Sequence, residues 1–183
     1  MIVDRRWALA TCVSLAWLTQ PAVLSAVELY GLRHDGKTIV DADTPGWKLV
    51  YFGYTHCPDV CPMGLQSVTM AVDALGPLGE RMTPVFVTVD PERDTPQVLA
   101  QYVTYFHPRM VAIAPPPDQL AALAAAWRVK YARVDGKDGR DYTVDHTSTI
   151  FLVDPSGAIL ARLPHDLDGR ALADRIRTVI LKR

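Results

Sequence analysis

Residues 48–62 read KLVYFGYTHCPDVCP. The opening run Lys48–Tyr54 is apolar and too short for a buried helix, so it reads as a buried strand. Beyond Pro62, Leu65, Val68, Val72 and Leu75 recur at helical spacing, and Gly76-Pro77 closes that helix. Two cysteines, Cys57 and Cys61, therefore sit where a buried strand feeds a helix. Pro62 suits the first helical turn, where its missing N–H is not needed.

Working outward, Thr83–Val89 (TPVFVTV) reads as a second buried strand. Thr95 is a good cap for a helix begun by Pro96 and carried by Val98, Leu99, Tyr102, Val103 and Phe106. Met110–Ala114 is a short strand, and the prolines 115–117 turn into a helix bearing Leu120, Leu123 and Trp127. Lys130–Asp135 and Tyr142–Thr147 flank Gly136-Lys137-Asp138-Gly139, a hairpin or loop. Ile150–Val153 and Ala158–Leu163 flank Asp154-Pro155-Ser156-Gly157, a strand-turn-strand signal. Leu172, Ile176, Val179 and Ile180 mark a closing helix, and Asp35-Gly36 marks a small hairpin within Glu28–Val40. Strands joined by helices, then a hairpin and a last helix, predict an α/β fold. The layout is that of a thioredoxin-like mixed sheet with helices on both faces and an N-terminal β-hairpin extension. Fold alone supplies no function.

The 183 residues hold 19 Lys plus Arg against 20 Asp plus Glu, a net charge of -1. That balance excludes nucleic-acid binding by bulk charge. With 49% hydrophobic and 21% charged residues the chain is not of the disordered class, and three cysteines cannot make a disulfide-dense scaffold. Residues 1–26 differ from the rest. Arg5 and Arg6 precede an apolar run, Trp7–Leu18, and no charge follows until Glu28. This reads as a secretory signal or as a retained signal anchor, since Trp7–Val27 is long enough to cross a bilayer. Both readings export residues 27–183, a single domain destined for the bacterial periplasm and, with the anchor kept, tethered to the inner membrane. Cys12 falls in the export segment, leaving Cys57 and Cys61 as the thiols of the domain.

The free N–H groups and positive dipole end of the helix favour ionised sulfur nearby. At C-x-x-x-C spacing the two Cβ atoms lie ~5–6 Å apart on a helix, which suits two sulfurs on one metal ion. A disulfide is reachable if the loop bends. Two thiolates are soft ligands that select Cu(I), zinc or iron–sulfur clusters, and they leave a position for a third ligand. Five histidines are available. His56 points away from Cys57 if the strand pattern persists. His107, before Pro108, suits a cap or a solvated position, and His34 and His165 lie in polar, turn-like surroundings that predict exposure. His146 lies at the entry to the strand Ile150–Val153, in a loop that faces the tip of the first helix in a thioredoxin-like sheet. On spacing alone it is either a ligand or a loop histidine bonded to Asp145 or to backbone.

Three blocks bear on this choice. Tyr51–Pro62 (YFGYTHCPDVCP), Val87–Pro96 (VTVDPERDTP), and Asp145-His146-Thr147 with Phe151–Pro155 (FLVDP) and Gly157 resemble the SCO/SenC family of copper proteins, in the family's order, across Leu32–Arg183. The resemblance implies a thioredoxin-like, exported or membrane-tethered copper protein with Cys57, Cys61 and His146 as metal ligands. It implies support for assembly of the CuA centre of cytochrome c oxidase. The partners it implies are subunit II of that oxidase or another copper-receiving protein, and a copper donor. Nothing in the sequence suggests more than a monomer. Two thiolates and an imidazole suit trigonal Cu(I) and accept Cu(II) with a further ligand.

An enzymatic alternative uses the same dithiol. A thiol–disulfide oxidoreductase would reduce the cysteines of the copper-receiving partner with Cys57 and Cys61. Against general thioredoxin activity, three residues separate the cysteines, and Asp145–Thr149 carries no proline to dock a substrate peptide. A peroxidase would need an activating arginine beside the pair, and none is evident. Asp90, Arg93 and Asp94 form an acidic, arginine-bearing loop that either faces the metal site or a partner, or serves only as a loop salt bridge before the Thr95 cap. Asp59 and Asp145 flank ligands and either orient them or are solvated.

Overall fold

The apolar run Lys48–Tyr54 lies in the interior of a seven-stranded sheet. The structure, a computed structural model, describes residues 28–40, 46–137 and 141–182. In chain order the elements are β1 (Tyr30–Arg33), β2 (Thr38–Val40), β3 (Trp47–Gly53), α1 (Val60–Ala74), α2 (Pro77–Glu80), β4 (Met82–Thr88), α3 (Pro96–Val103) and β5 (Val111–Ala114). They continue with α4 (Pro117–Trp127), β6 (Tyr131–Asp135), β7 (Tyr142–His146), β8 (Thr149–Val153), β9 (Ile159–Pro164) and α5 (Gly169–Leu181). The expected export segment, residues 1–26, lies outside the described residues, as does the loop tip 138–140. Among the described residues no helix is long and apolar enough to cross a membrane.

The sheet order is β2-β1-β5-β4-β3-β8-β9. Strands β3, β4 and β5 are parallel, and the flanking pairs are antiparallel. Because β3, β4 and β5 follow one another across the sheet, right-handed crossovers put α1 and α3 on the same face. Side chains alternate along β3. Tyr51 and Gly53 point toward α1, while Phe52 points to the other face and meets Trp127 of α4 at 5.4 Å between ring centroids. Phe151 completes that second layer, 5.3 Å from Trp127. Leu49, Val50, Tyr51 and Phe52 have no exposed surface, consistent with a strand covered on both faces. The thioredoxin-like α/β architecture follows, with β1 and β2 as the N-terminal hairpin turned at Gly36 (φ +83).

Local signals hold where they were read. Thr95 caps α3 by accepting the Val98 N–H at 3.3 Å. Asp154 closes the β8–β9 turn by accepting the N–H groups of Ser156 and Ala158 at 2.8 and 3.0 Å. Helix α1 ends at Ala74 and Gly76 takes φ +59, but Pro77 then starts the short helix α2 rather than a plain loop. The strands β6 and β7 pair with each other and not with the main sheet. They form a two-stranded arm, and that arm carries His146.

Candidate metal centre

The site is built at the carboxyl end of β3. Ligands in open α/β sheets bind outside that edge, where helix N-termini converge. The antiparallel neighbour β8 begins at the same edge, since Tyr51 is opposite Ile150. The chain just before β8 is therefore brought beside the chain just after β3. Ligand atoms of Cys57, Cys61 and His146 lie within 4.8 Å of one another. The Nε2 of His146 is 3.2 Å from the Cys61 sulfur, across 85 residues of sequence.

Each of these three side chains has its own support. The Cys57 sulfur sits at the start of α1 and accepts the Cys61 N–H at 3.4 Å, so it serves as a cap where Asp59 supplies no side-chain hydrogen bond. Both thiols are free. The hydrogen bond from Cys61 holds the Cys57 thiol well below the usual thiol range, with the backbone N–H groups of Asp59 and Cys61 adding to it. The same hydrogen bond, together with burial, pushes Cys61 up. The expectation that the helix start favours ionised sulfur is thus divided: ionisation is favoured at Cys57 and opposed at Cys61.

His146 is half-buried between two tyrosines that meet it edge-on, Tyr54 at 5.9 Å and Tyr51 at 6.2 Å between centroids. Its Nδ1 lies 3.3 Å from the Thr147 carbonyl. A carbonyl only accepts, so the ring proton belongs on Nδ1 and the Nε2 lone pair faces the sulfurs. Asp59 and Asp145 lie exposed at the rim. A backbone carbonyl rather than a neighbouring carboxylate orients the imidazole.

Gly53 is the functional residue that sequence reasoning passed over. A Cβ there would lie 2.6 Å from the Cys61 sulfur and 2.9 Å from Phe86. The buried thiol occupies the space a side chain would fill. A lone glycine inside a strand of bulky residues is the signal that could have flagged it.

The other histidines separate from the site. His56 is exposed as expected, with Nδ1 3.2 Å from the Thr55 hydroxyl and 3.8 Å from Asp94. Three expectations need correction. His165, read as exposed, is half-buried beside Met63 and Leu167. His107 is not solvated but buried, accepting the Arg109 N–H at 3.1 Å while its other nitrogen stands 3.6 Å from Asp73. His34 is not simply exposed, because its ring accepts the Ala112 N–H at 3.1 Å and joins the hairpin to β5.

The loop of Asp90, Arg93 and Asp94 does more than cap a helix. Asp94 is fully buried and accepts from the Thr55 N–H at 3.0 Å and from the hydroxyls of Thr55 and Thr88 at 2.5 Å each. Burial raises its carboxyl above the usual range against those hydrogen bonds. Arg93 pairs with Asp90 at 2.5 Å and donates to the Tyr142 carbonyl at 3.0 Å.

Residues 26–181 match the SCO1/SenC family. The chain belongs to that family. It is 39% identical over 126 residues to the mitochondrial SCO1 homolog 1 of Arabidopsis thaliana, a match covering 68% of this chain and 37% of that protein. It is 37% identical over 149 residues to the mitochondrial SCO2 homolog of Bos taurus, covering 80% of this chain and 56% of that one. The chain thus spans only about a third to just over half the length of these relatives. Among solved structures, copper-bound ScoI of Arabidopsis thaliana superposes with a TM-score of 0.80 at 33% identity, over 85% of this chain and 98% of that one. The fold of this SCO1/SenC protein is accordingly the thioredoxin-like fold of Sco structures, and its Cys-Cys-His group is one that can bind copper.

Proposed function

We propose that this protein is an exported copper chaperone that holds one copper ion on Cys57, Cys61 and His146 and passes it to a receiving protein. The observation that carries the reading is the convergence of two sulfurs and one imidazole nitrogen within 4.8 Å at the mouth of a cleft. Soft sulfur donors with an imidazole select Cu(I) over the harder divalent ions. The cleft beside the ligands is a cavity of about 400 Å³, bounded by Tyr54, Pro58 and Val60 on one side and Thr143 and Val144 on the other. A recipient's ligands approach through it. By family resemblance the recipient is subunit II of cytochrome c oxidase, where the copper builds the CuA centre, and the compartment is the bacterial periplasm.

The test is metal titration of the reduced protein with absorption and EPR readout. One copper per chain is expected, and Cys57→Ala, Cys61→Ala and His146→Ala should each abolish or sharply weaken uptake. Unchanged affinity and spectrum in His146→Ala would remove the third ligand. A second reading rests on the thiolate character of Cys57, which is what an attacking sulfur needs. As a thiol–disulfide oxidoreductase the protein would keep the recipient's cysteines reduced. Insulin reduction at thioredoxin-like rates would favour that enzyme, and slow or absent turnover beside tight copper binding favours the chaperone.

A further inference from the structure

The Asp90–Asp94 loop touches both halves of the metal site. On one side Asp94 holds Thr55, two residues before Cys57. On the other side Arg93 holds the β6–β7 arm, which carries His146. Its guanidinium donates to the Tyr142 carbonyl at 3.0 Å and to Asp141 at 3.3 Å, and it stacks 3.6 Å from the Tyr142 ring centroid. The Tyr142 hydroxyl donates to Asp90 at 2.9 Å, and Arg133 covers the opposite ring face at 3.7 Å. Arg93 also lies 5.7 Å from the centroid of Tyr54, the ring that meets His146 edge-on. The loop itself is fixed to the core. Asp90 is buried, its N–H donates to Thr88, and its carbonyl accepts from the N–H groups of Arg93 and Asp94.

Beside these polar contacts, the arm meets the core through buried Val144, with Tyr131 and Tyr142 packed against it. It pairs with no strand of the main sheet, and β6 is exposed along most of its length. Between the arm and the body lies a cavity of about 230 Å³, with Tyr131, Arg133 and Val144 above and Val89, Pro117 and Leu120 below. The arm packs on the core through Val144, Tyr131 and Tyr142, and with a void beside these side chains its docking at the Tyr142 end also leans on the polar contacts there. One of those contacts is incomplete. The Arg93 Nη2 is buried without a hydrogen-bond partner among the described residues. Undocking gives that group water, so the docked state is releasable.

We propose that the Asp90–Arg93 pair is a strut that docks the arm through Tyr142 and so positions His146 on copper. Release of Arg93 from Tyr142 withdraws the imidazole and opens the third coordination position to the recipient. The exchange breaks one Cu–N bond and forms one bond to the recipient's donor, with no change in oxidation state. Arg93 is a positioning residue that acts on the metal through His146. The second half of the proposal rests on the copper-chaperone reading, and the first half does not.

The test uses the parent, Arg93→Ala and Arg93→Lys. Lysine keeps the charge but loses the planar stack and the forked donors, so it should not rescue. In the metal-free protein, hydrogen exchange of the Tyr142–Val144 amides should quicken in both variants while β3 and β4 amides stay protected. With copper bound, release of Cu(I) to a chromophoric chelator should quicken by roughly 10-fold or more, the scale on which groups supporting a ligand act. The Cu(II) absorption should shift, and the EPR signal should lose coupling to the imidazole nitrogen of His146. Unchanged arm exchange, or full rescue by lysine, overturns the strut. Quickened arm exchange with unchanged copper release overturns its action on His146. A parent that takes up no copper overturns the chaperone reading and that action together, while the exchange measurement still decides the strut.

Discussion

Gly53→Ala places a methyl group against the Cys61 sulfur without altering any ligand. The added carbon would stand 2.6 Å from that sulfur, 2.9 Å from a Phe86 ring carbon and 3.3 Å from a Tyr51 ring carbon. Ordinary contacts between such atoms begin at about 3.5 Å, so the sulfur or the strand must give by roughly 1 Å. Cys61, Phe86 and Tyr51 have no exposed surface, which leaves no free direction for relief. Overpacking of this kind costs about 1–3 kcal/mol. Replacing a strand glycine by alanine returns roughly 0.5–1 kcal/mol, because Gly53 is not in the left-handed region and alanine suits its backbone. The net loss is about 0.5–2 kcal/mol, a fall of a few degrees in Tm for a domain of this size. Copper should respond more strongly. Metal sites tolerate ligand displacements of about 0.2 Å, and the sulfur is asked to move several times that. The assay is competition for Cu(I) with a chromophoric chelator, with the sulfur-to-Cu(II) absorption band recorded in parallel. The affinity should fall at least ~10-fold, equivalent to about 1.4 kcal/mol, with a displaced band. Parent affinity and an unshifted band would show that Gly53 does not set the position of the Cys61 sulfur.

Three further outcomes follow from the same geometry. Because Cys57 is held as a thiolate and Cys61 keeps the proton, the pair should release one proton, not two, on binding Cu(I) near neutral pH. Calorimetry in buffers of different ionisation enthalpy counts it, and a value of two would mean that both sulfurs start protonated. Burial, with Arg109 close by, holds the His107 imidazole below its ordinary 6.5, so the folded state resists the proton that the unfolded chain accepts. Its contribution to stability is complete above pH 6.5 and is lost as pH falls through the lowered value. Against His107→Asn, urea unfolding should show the parent's advantage shrinking between neutral and mildly acidic pH, and a constant difference would contradict the burial argument. Gly169→Ala sets a methyl group against the Met70 Cβ where α5 meets α1. It should lower stability by about 1–3 kcal/mol and leave the copper spectrum alone, and a shifted spectrum would mean that α1 transmits the strain to Cys61.

What could be read in the sequence was local. The strand Trp47–Gly53, the helix after it and the caps Thr95 and Asp154 declare themselves because their hydrophobic period and their turn residues lie within a few positions. The cysteine pair belongs to this class, since the short turn from Cys57 into the start of α1 brings it to Cys61. His146 does not. Its approach to Cys61 spans 85 residues and depends on β8 running antiparallel beside β3, so the residues alone left it open and the family resemblance named it. The solvated alternative for His107 failed for the same reason: its ring is buried and stands 3.6 Å from Asp73 of α1, a contact that a polar, proline-flanked context does not reveal. The strands of the arm were visible, but nothing in their alternation says that they stay off the main sheet. Arg93 was ambiguous because a salt bridge to Asp90 three residues away looks complete in sequence, whereas its contact with Tyr142 is a matter of tertiary structure.

On the proposed chaperone reading, the division between near and distant ligands bears on how one site both retains and surrenders copper. Cys57 and Cys61 stand on the core: one caps α1, and the other fills the space left by Gly53. Moving either sulfur disturbs the helix start or the packing of β3, so neither is a plausible point of first release. His146 stands on an arm outside the sheet, with a cavity beneath and Arg93 as its anchor. Its displacement breaks the Arg93 contacts and loosens Val144, while the packing of β3 against α1 stays in place. A recipient donor can then take the vacated position while both sulfurs still hold the ion, and copper need never be free in solvent. The order of exchange follows: imidazole first, sulfurs afterwards. A trapped transfer intermediate should therefore contain both sulfurs of this protein and a ligand of the recipient, with His146 unbound. X-ray absorption of the intermediate, with the His146 ring isotopically labelled for NMR, distinguishes that species from one in which a sulfur has left first, and finding the imidazole still bound after loss of a sulfur would reverse the order.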